Sequence, residues 1–201
     1  MVAARELPVI TYGTQNSIAV TQAITAGTIR RTYSFYGHKR LMAACMQGMT
    51  GIWHTLAPAA ESRSHAQNCL EYALTYAHTT PVDSFTWIVA ARSSFVLKDL
   101  SSINRYLAYA WQTGRNEQWV AALRVNLAED TYAGLTEINL QRHRSDLSLM
   151  VMSRAGIGAI ANRYWSDPEF RERISTVVET LPQEDQRRFV SSVRRAAGGP
   201  Y

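Results

Sequence analysis

The chain has 201 residues, of which 46% are hydrophobic and 18% are charged, and its net charge is +5. This composition excludes wholesale disorder, because so large an apolar share can bury a core of ordinary domain size. The sequence also predicts no transmembrane helix and no secretory signal, since no apolar run is long enough to cross a bilayer.

The first part of the chain is predicted to be an N-terminal arm over residues 1–29. Pro8, Gly13 and Gly27 interrupt it, and it contains one short predicted helix over Ser17–Ala26. Whether an anchor or signal was removed ahead of this arm stays open.

The remainder is predicted to be one all-helical domain over residues 30–197, followed by a flexible tail at 198–201. Apolar residues recur at helical spacing throughout this range, and strand patterns are poor. The predicted helices span 30–50, 64–78, 84–97, 100–113, 117–128, 131–140, 144–163, 168–179 and 182–197.

Several of these boundaries have local signals. Ser64, Asp83 and Asn116 are predicted N-caps, because their side chains can accept a hydrogen bond from a free backbone N–H of the first turn. Gly114 is a predicted helix stop. Asp167 followed by proline is typical of a cap and first turn.

The positive charge is unevenly distributed. No acidic residue lies between Glu6 and Glu61. The basic residues of the predicted helical part of that stretch are Arg30, Arg31, Lys39 and Arg40. Such a segment could contact an anionic membrane surface or a nucleic acid, although a solvated helix face is the commoner use of such charge.

Two cysteines are present, Cys45 and Cys69. They could form a disulfide in an oxidising compartment. We expect two free, buried thiols instead, because cysteine behaves as a small buried hydrophobe in most helical cores.

An internal repeat is indicated in the middle of the chain. Trp87 and Ala91 on one predicted helix, with Leu107 and Ala110 on the next, lie at spacings that resemble tetratricopeptide repeats. Trp53 precedes Trp87 by one repeat period of about 34 residues. The resemblance covers roughly 53–128. It implies an all-α fold of stacked antiparallel helical hairpins, a short α-solenoid, with a divergent helical C-terminal part.

A second resemblance concerns the later part of the chain. The segments Glu117–Val120, Asp167–Arg171 and Gln186–Phe189 are similar to segments of small helical helper proteins encoded beside bacterial surface-polysaccharide assembly genes. That resemblance implies a scaffold role in exopolysaccharide biosynthesis or export. It also implies a periplasmic or inner-membrane-associated location, with a cytoplasmic one left open.

Signatures of chemistry are absent from the sequence. The five histidines have no metal-ligand spacing, and no nucleotide-binding or nucleophile motif occurs. We therefore predict a protein that is not an enzyme and has no catalytic residue, no cofactor site and no metal site.

The aromatic residues suggest a binding surface. Repeats of this kind bind protein partners on a concave groove, with core packing as the alternative use of these rings. The candidate partner-binding residues are Tyr72, Tyr76, Tyr106, Tyr109 and Trp111. We expect an envelope or polysaccharide-assembly protein as the partner, and self-association stays open.

A different class of function is the second hypothesis. Arginines cluster at 142–144, 187–188 and 194–195, which would suit a helical nucleic-acid-binding regulator. Mixed acidic residues near the last two clusters also fit exposed ion pairs along a helix.

Overall fold

The computed structural model describes residues 17–29 and 32–196, and within these ranges the protein is all-α, as predicted. These residues form eleven α-helices and one 3-10 turn, with no strand among them. They fall into two compact units, which meet in the sequence between Thr113 and Gly114. The tail predicted at 198–201 and the first part of the predicted arm lie outside the described residues.

The described residues of the N-terminal unit form six helices. Their bounds are α1 Ser17–Thr25, α2 Phe35–Thr50, α3 Ile52–Leu56, α4 Ala59–Thr79, α5 Ser84–Val96 and α6 Leu100–Thr113. Helices α4, α5 and α6 pack in sequence order, and α2 packs against both α4 and α5.

Helix α1 is the short helix predicted within the arm. Its Val20 and Ile24 side chains are buried. The helix ends at Thr25 and is followed by Gly27, which has a left-handed backbone (φ 67°) that costs other residues energy. The Asn68 side chain on α4 donates to the carbonyl of Ile24 at 2.8 Å, so the end of α1 is fixed on the unit.

Helix α4 begins at Ala59, directly after Pro58, and the predicted start at Ser64 is wrong. Proline has a helix-compatible φ, and the acidic Glu61 in the first turn complements the positive end of the helix dipole. The chain does break at Pro58, as predicted, because the preceding helix α3 ends at Leu56.

The two cysteines form a disulfide between α2 and α4, so the expectation of free thiols is wrong. Packing of these helices brings the Cα atoms of Cys45 and Cys69 to 5.6 Å, within the range that a disulfide requires. Both residues are fully buried. Sequence spacing could not reveal the pairing, because it depends on how two separate helices face each other.

In the C-terminal unit, residues 114–196 form five helices and the 3-10 turn Tyr132–Gly134. Their bounds are α7 Gln118–Asp130, α8 Glu137–Val151, α9 Arg154–Ser166, α10 Pro168–Glu179 and α11 Gln183–Ala196. Leu147, Ile157, Phe170 and Ile174 are among the buried residues at the centre of the unit.

The start of α10 follows the predicted signal. Asp167 is the N-cap, and its side chain accepts a hydrogen bond from the N–H of Phe170 at 3.0 Å. The predicted cap Asn116 is wrong by one residue, since Glu117 is the N-cap of α7.

The predicted division into helices 131–140 and 144–163 is wrong, because the helix breaks between Val151 and Arg154. Ser153 caps α9 by accepting from the N–H of Gly156 at 2.9 Å. A Cβ at Gly156 would lie 2.3 Å from the carbonyl oxygen of Met150, so this turn needs a glycine.

Candidate partner-binding site

An open apolar groove of about 500 Å³ lies on the N-terminal unit, where the end of α4, the start of α5 and the end of α6 meet. We call it the aromatic groove. Its lining residues are Leu74, Ala77, His78, Pro81, Trp87, Tyr109, Gln112 and Thr113.

Trp87 lines the groove and is held by the turn that precedes its helix. Its indole Nε1 donates to the carbonyl oxygen of Pro81 at 2.7 Å, which satisfies its only polar group. The Trp87 ring lies 4.8 Å from the Tyr109 ring and 5.9 Å from the Tyr106 ring, measured between centroids. The three rings therefore form one aromatic cluster.

The two tyrosines of this cluster have different exposure. Tyr106 is buried beneath Trp87, whereas Tyr109 keeps 39% of its surface accessible. Helix geometry explains the pair, since residues three apart share one face of α6. The groove therefore presents an exposed tyrosine edge beside a half-buried tryptophan, with Leu74 also exposed.

The other predicted site residues are placed elsewhere on the unit. The hydroxyl of Tyr72 donates to the carbonyl oxygen of Ile29 at 2.8 Å, and burial raises the pKa of Tyr72, with a smaller effect from the charge of Glu71. Tyr76 is buried, bonded through its hydroxyl to Thr32. Trp111 is half-buried on α6. Of the five candidates, Tyr109 lines the groove and Tyr106 supports it.

The sequence interpretation placed Trp87 in the repeat core and did not assign it to a binding surface. His78, Pro81 and Gln112 carry no signal that could have identified them. They line the groove because the end of α4, the turn before α5 and the end of α6 meet there.

A buried histidine cluster lies near this turn. His38 Nε2 is 3.1 Å from Asp83 Oδ2 and 2.8 Å from Thr86 Oγ1, while Lys39 Nζ is 2.9 Å from Asp83 Oδ1. Burial alone would raise the pKa of Asp83, but hydrogen bonds from His38, Thr86 and Lys39 outweigh it and hold that pKa well below its ordinary value.

This cluster does not have the geometry of a catalytic triad. In a triad the imidazole uses one ring nitrogen for the nucleophile and the other for the carboxylate. Here the carboxylate and the hydroxyl both meet Nε2 of His38, and its Nδ1 is buried without a hydrogen-bond partner among the described residues. These contacts join α2 to the start of α5.

The C-terminal unit has its own buried ionic network. Arg124 binds Asp146 through two hydrogen bonds of 2.7 and 2.8 Å. Glu129 accepts from both His143, at 2.6 Å, and Arg173, and its side chain has no exposed surface. Burial would raise the pKa of Glu129, but these two partners lower it below the ordinary value. The carboxylate is inaccessible to a substrate.

The arginine clusters differ in how far they reach the surface. Within the cluster at 142–144, His143 is buried, whereas Arg144 is exposed. On α11, Arg188 pairs with Asp185, and Arg187, Arg194 and Arg195 are exposed.

Across the described residues, no group of three or more histidine, cysteine or acidic side chains could hold a metal ion. No helix in the described ranges is both long and apolar enough to span a bilayer. Comparison of the chain with models of protein families, with curated proteins and with solved structures finds no match.

Proposed function

We propose that this protein is a non-catalytic helical adaptor that binds a protein partner through the aromatic groove. The observation that carries the proposal is the exposed Tyr109 beside Trp87 in an apolar concavity of about 500 Å³. Tyrosine and tryptophan at the centre of a concave apolar site are the residues that dominate binding energy at protein interfaces. The polar groups at the rim, His78 and Gln112, can orient a ligand.

The chemistry of the groove favours a short segment with an apolar or proline side chain as the ligand. The groove extends over the end of α4, the start of α5 and the end of α6. Aromatic-lined grooves of this type accept extended peptides. The described lining includes no aspartate, glutamate, lysine or arginine, so ion pairs contribute little to this recognition.

The proposal also rests on the resemblance to tetratricopeptide repeats. In support of it, helices α5 and α6, joined by the turn 97–99, cover most of residues 83–114, whose spacing resembles one such repeat. The earlier repeat is less regular, because Trp53 lies on the five-residue helix α3 and Pro58 separates it from α4.

We place the adaptor in a bacterial system for polysaccharide biosynthesis or export, on the strength of the second resemblance. The disulfide between Cys45 and Cys69 supports a periplasmic location, since disulfides persist in oxidising compartments. The partner would then be an envelope or polysaccharide-assembly protein.

The experiment is affinity capture from a bacterial envelope extract, followed by purification of the enriched protein and measurement of its Kd. We expect Tyr109→Ala to weaken binding at least tenfold, because the variant loses an aromatic contact worth about 2 kcal/mol. Leu100→Ala is the control, because Leu100 is an exposed apolar residue at the start of α6 that does not line the groove. Equal affinities for the wild type and Tyr109→Ala would overturn the proposal.

A second candidate is a nucleic-acid-binding regulator that uses the exposed arginines of α11. Arg187, Arg194 and Arg195 are accessible on one short helix, which favours phosphate contacts. A gel shift that weakens steeply with salt, and weakens further in Arg194→Gln, would support this candidate over the adaptor.

A further inference from the structure

We propose that the start of helix α2 binds the surface of an anionic lipid bilayer. The binding surface, which we call the aromatic–basic patch, consists of Tyr33, Phe35, Tyr36, Lys39 and Arg40. None of its residues lines the aromatic groove, and the inference does not depend on the proposed function.

The patch presents three aromatic rings to solvent within four consecutive positions. Tyr33 is 62% exposed, Phe35 is 75% exposed and Tyr36 is 51% exposed. Any apolar contact that covers a phenylalanine with three quarters of its surface in water lowers the free energy of the system. Tyrosine and other amphipathic rings prefer the interface of a bilayer, where the ring is in an apolar region and the hydroxyl stays in water.

Two cations lie beside these rings. Lys39 Nζ is 5.4 Å from the centroid of the Phe35 ring, and the Arg40 guanidinium is 5.2 Å from the centroid of the Tyr36 ring. Arg40 also donates to the Tyr36 hydroxyl at 2.7 Å. Since that partner is neutral, the bond leaves the arginine charge uncompensated, whereas the charge of Lys39 is matched by Asp83.

The sequence around the patch contains no opposing charge. Residues 7–60 include no aspartate or glutamate. Arg30 and Arg31 lie shortly before Tyr33 in the sequence. Asp83 on α5 balances Lys39, so the positive charge of the patch that can attract anionic headgroups is that of Arg40.

The balance of rings and charges favours a bilayer over a nucleic acid. Nucleic-acid affinity grows with the number of phosphates that are neutralised. Within the patch, Lys39 is already paired with Asp83, which leaves Arg40 as the cation available to a phosphate. Three exposed rings therefore face a single available positive charge. A surface of that kind gains most from an environment that is apolar inside and anionic at its boundary.

The test is flotation of the intact protein with vesicles of phosphatidylglycerol and phosphatidylcholine in equal parts, and with vesicles of phosphatidylcholine alone. We expect binding to the anionic vesicles, weaker binding at high salt, and little binding to the neutral vesicles. Phe35→Ser should reduce the partition coefficient about tenfold, because one aromatic ring is lost from the contact. Arg40→Gln should reduce it about fivefold.

The matched control is the double variant Ile52→Ser with Leu56→Ser. These residues are 79% and 76% exposed, belong to the same acid-free stretch, and lie beyond the other end of α2. We expect this control and Tyr109→Ala to bind anionic vesicles as the wild type does. Circular dichroism confirms that each variant keeps its helices.

Three outcomes would overturn the proposal. The first is no flotation of the wild type with anionic vesicles, and the second is equal flotation of Phe35→Ser and the wild type. The third is an equal loss in the Ile52 and Leu56 variant, which would show general stickiness of exposed apolar residues. Unchanged vesicle binding by Tyr109→Ala keeps this result separate from the test of the adaptor function.

Discussion

Both units are built from helices, but they differ in charge balance and in what links their helices. The N-terminal unit has nine of the 21 basic and five of the 16 acidic residues, whereas the C-terminal unit has the remaining twelve and eleven. The N-terminal unit joins two helices by a buried disulfide, and the C-terminal unit buries Arg124 with Asp146 and Glu129 with His143.

The two cores also differ in the size of the side chains that they bury. Helix α5 of the N-terminal unit buries small residues, with Ala90, Ala91 and Ser93 fully inaccessible, so its neighbours approach closely. The C-terminal core depends on larger side chains such as Phe170 and Ile174. The N-terminal unit keeps several aromatic rings at its surface, and these rings form the groove and the patch to which we assign binding.

These differences determine which perturbation weakens each unit. A buried ion pair is a weak source of net stability, but removal of one partner leaves a charge that has lost both water and its counterion. A disulfide acts differently, since it restricts the unfolded chain. The two units should therefore respond to different perturbations.

The largest expected effect is on the C-terminal unit. Asp146→Ala leaves the buried guanidinium of Arg124 without its carboxylate, and we expect a loss of about 3–5 kcal/mol in the free energy of unfolding of that unit. Amide hydrogen exchange followed by mass spectrometry measures this loss for each unit separately.

The control is the double variant Arg124→Met with Asp146→Leu, which replaces the whole pair by apolar side chains. We expect it to lose much less than Asp146→Ala, because no buried charge is left unpaired. If the single and double variants lose the same amount, the charge of Arg124 is not the cause.

The second effect concerns the disulfide. Cys45→Ala with Cys69→Ala should lower the stability of the N-terminal unit by about 3 kcal/mol, because the cross-link closes a loop of intermediate length. Exchange should accelerate in α2 and α4 and stay unchanged in α8 and α10.

Wild-type protein that is reduced in denaturant and refolded is the control, because it keeps both sulfur atoms and loses only the bond. Protection equal to that of the oxidised protein would show that the cross-link does not stabilise this unit.

The third effect separates two glycines of α9. Gly156→Ala should cost about 1–3 kcal/mol, because its Cβ would overlap the backbone of Met150 and force the turn to shift. Gly158→Ala should be neutral or stabilise by up to about 1 kcal/mol, since no atom within 4 Å opposes a Cβ and alanine favours the helix. Thermal unfolding measures both, and equal melting temperatures would contradict the proposed close approach.

These glycines also show how far the sequence could predict the fold. Asp167 with Pro168, and Gly114, act within one helical turn, so their helix ends were predicted correctly. Gly156 acts through contact with the preceding helix, and the break between α8 and α9 was therefore misplaced. The disulfide was missed for the same reason, because its two cysteines lie on different helices.

The candidate site was predictable to a smaller degree. Tyr109 lines the groove because it lies on an exposed helix face. Tyr72 and Tyr76 are also tyrosines on a predicted helix. Their hydroxyls form hydrogen bonds with Ile29 and Thr32, more than 40 positions earlier in the chain. No local pattern reports a hydrogen bond between segments so far apart, so sequence alone could not separate these tyrosines from Tyr109.

The smallest expected effect is a pH dependence in the N-terminal unit. Burial lowers the pKa of His65 below the ordinary value of 6.5, and the charge of His54 adds to the shift, although hydrogen bonds with the backbone of Cys45 and Thr21 oppose it. The unfolded chain therefore binds more protons than the folded chain between the two pKa values. The stability contributed by neutral His65 is complete above about pH 6.5 and is lost as the pH falls through the folded pKa, with a slope of at most about 1.4 kcal/mol per pH unit.

Nuclear magnetic resonance titration of the His65 imidazole protons measures this pKa directly. We expect it to lie below 6.5, and the melting temperature of the N-terminal unit to fall between pH 7 and pH 5. A His65 pKa at or above 6.5 would mean that solvent reaches the ring. Water would then reach the region where His65 contacts Cys45 and Cys69. The core around the disulfide would be less well packed than the burial of its cysteines indicates.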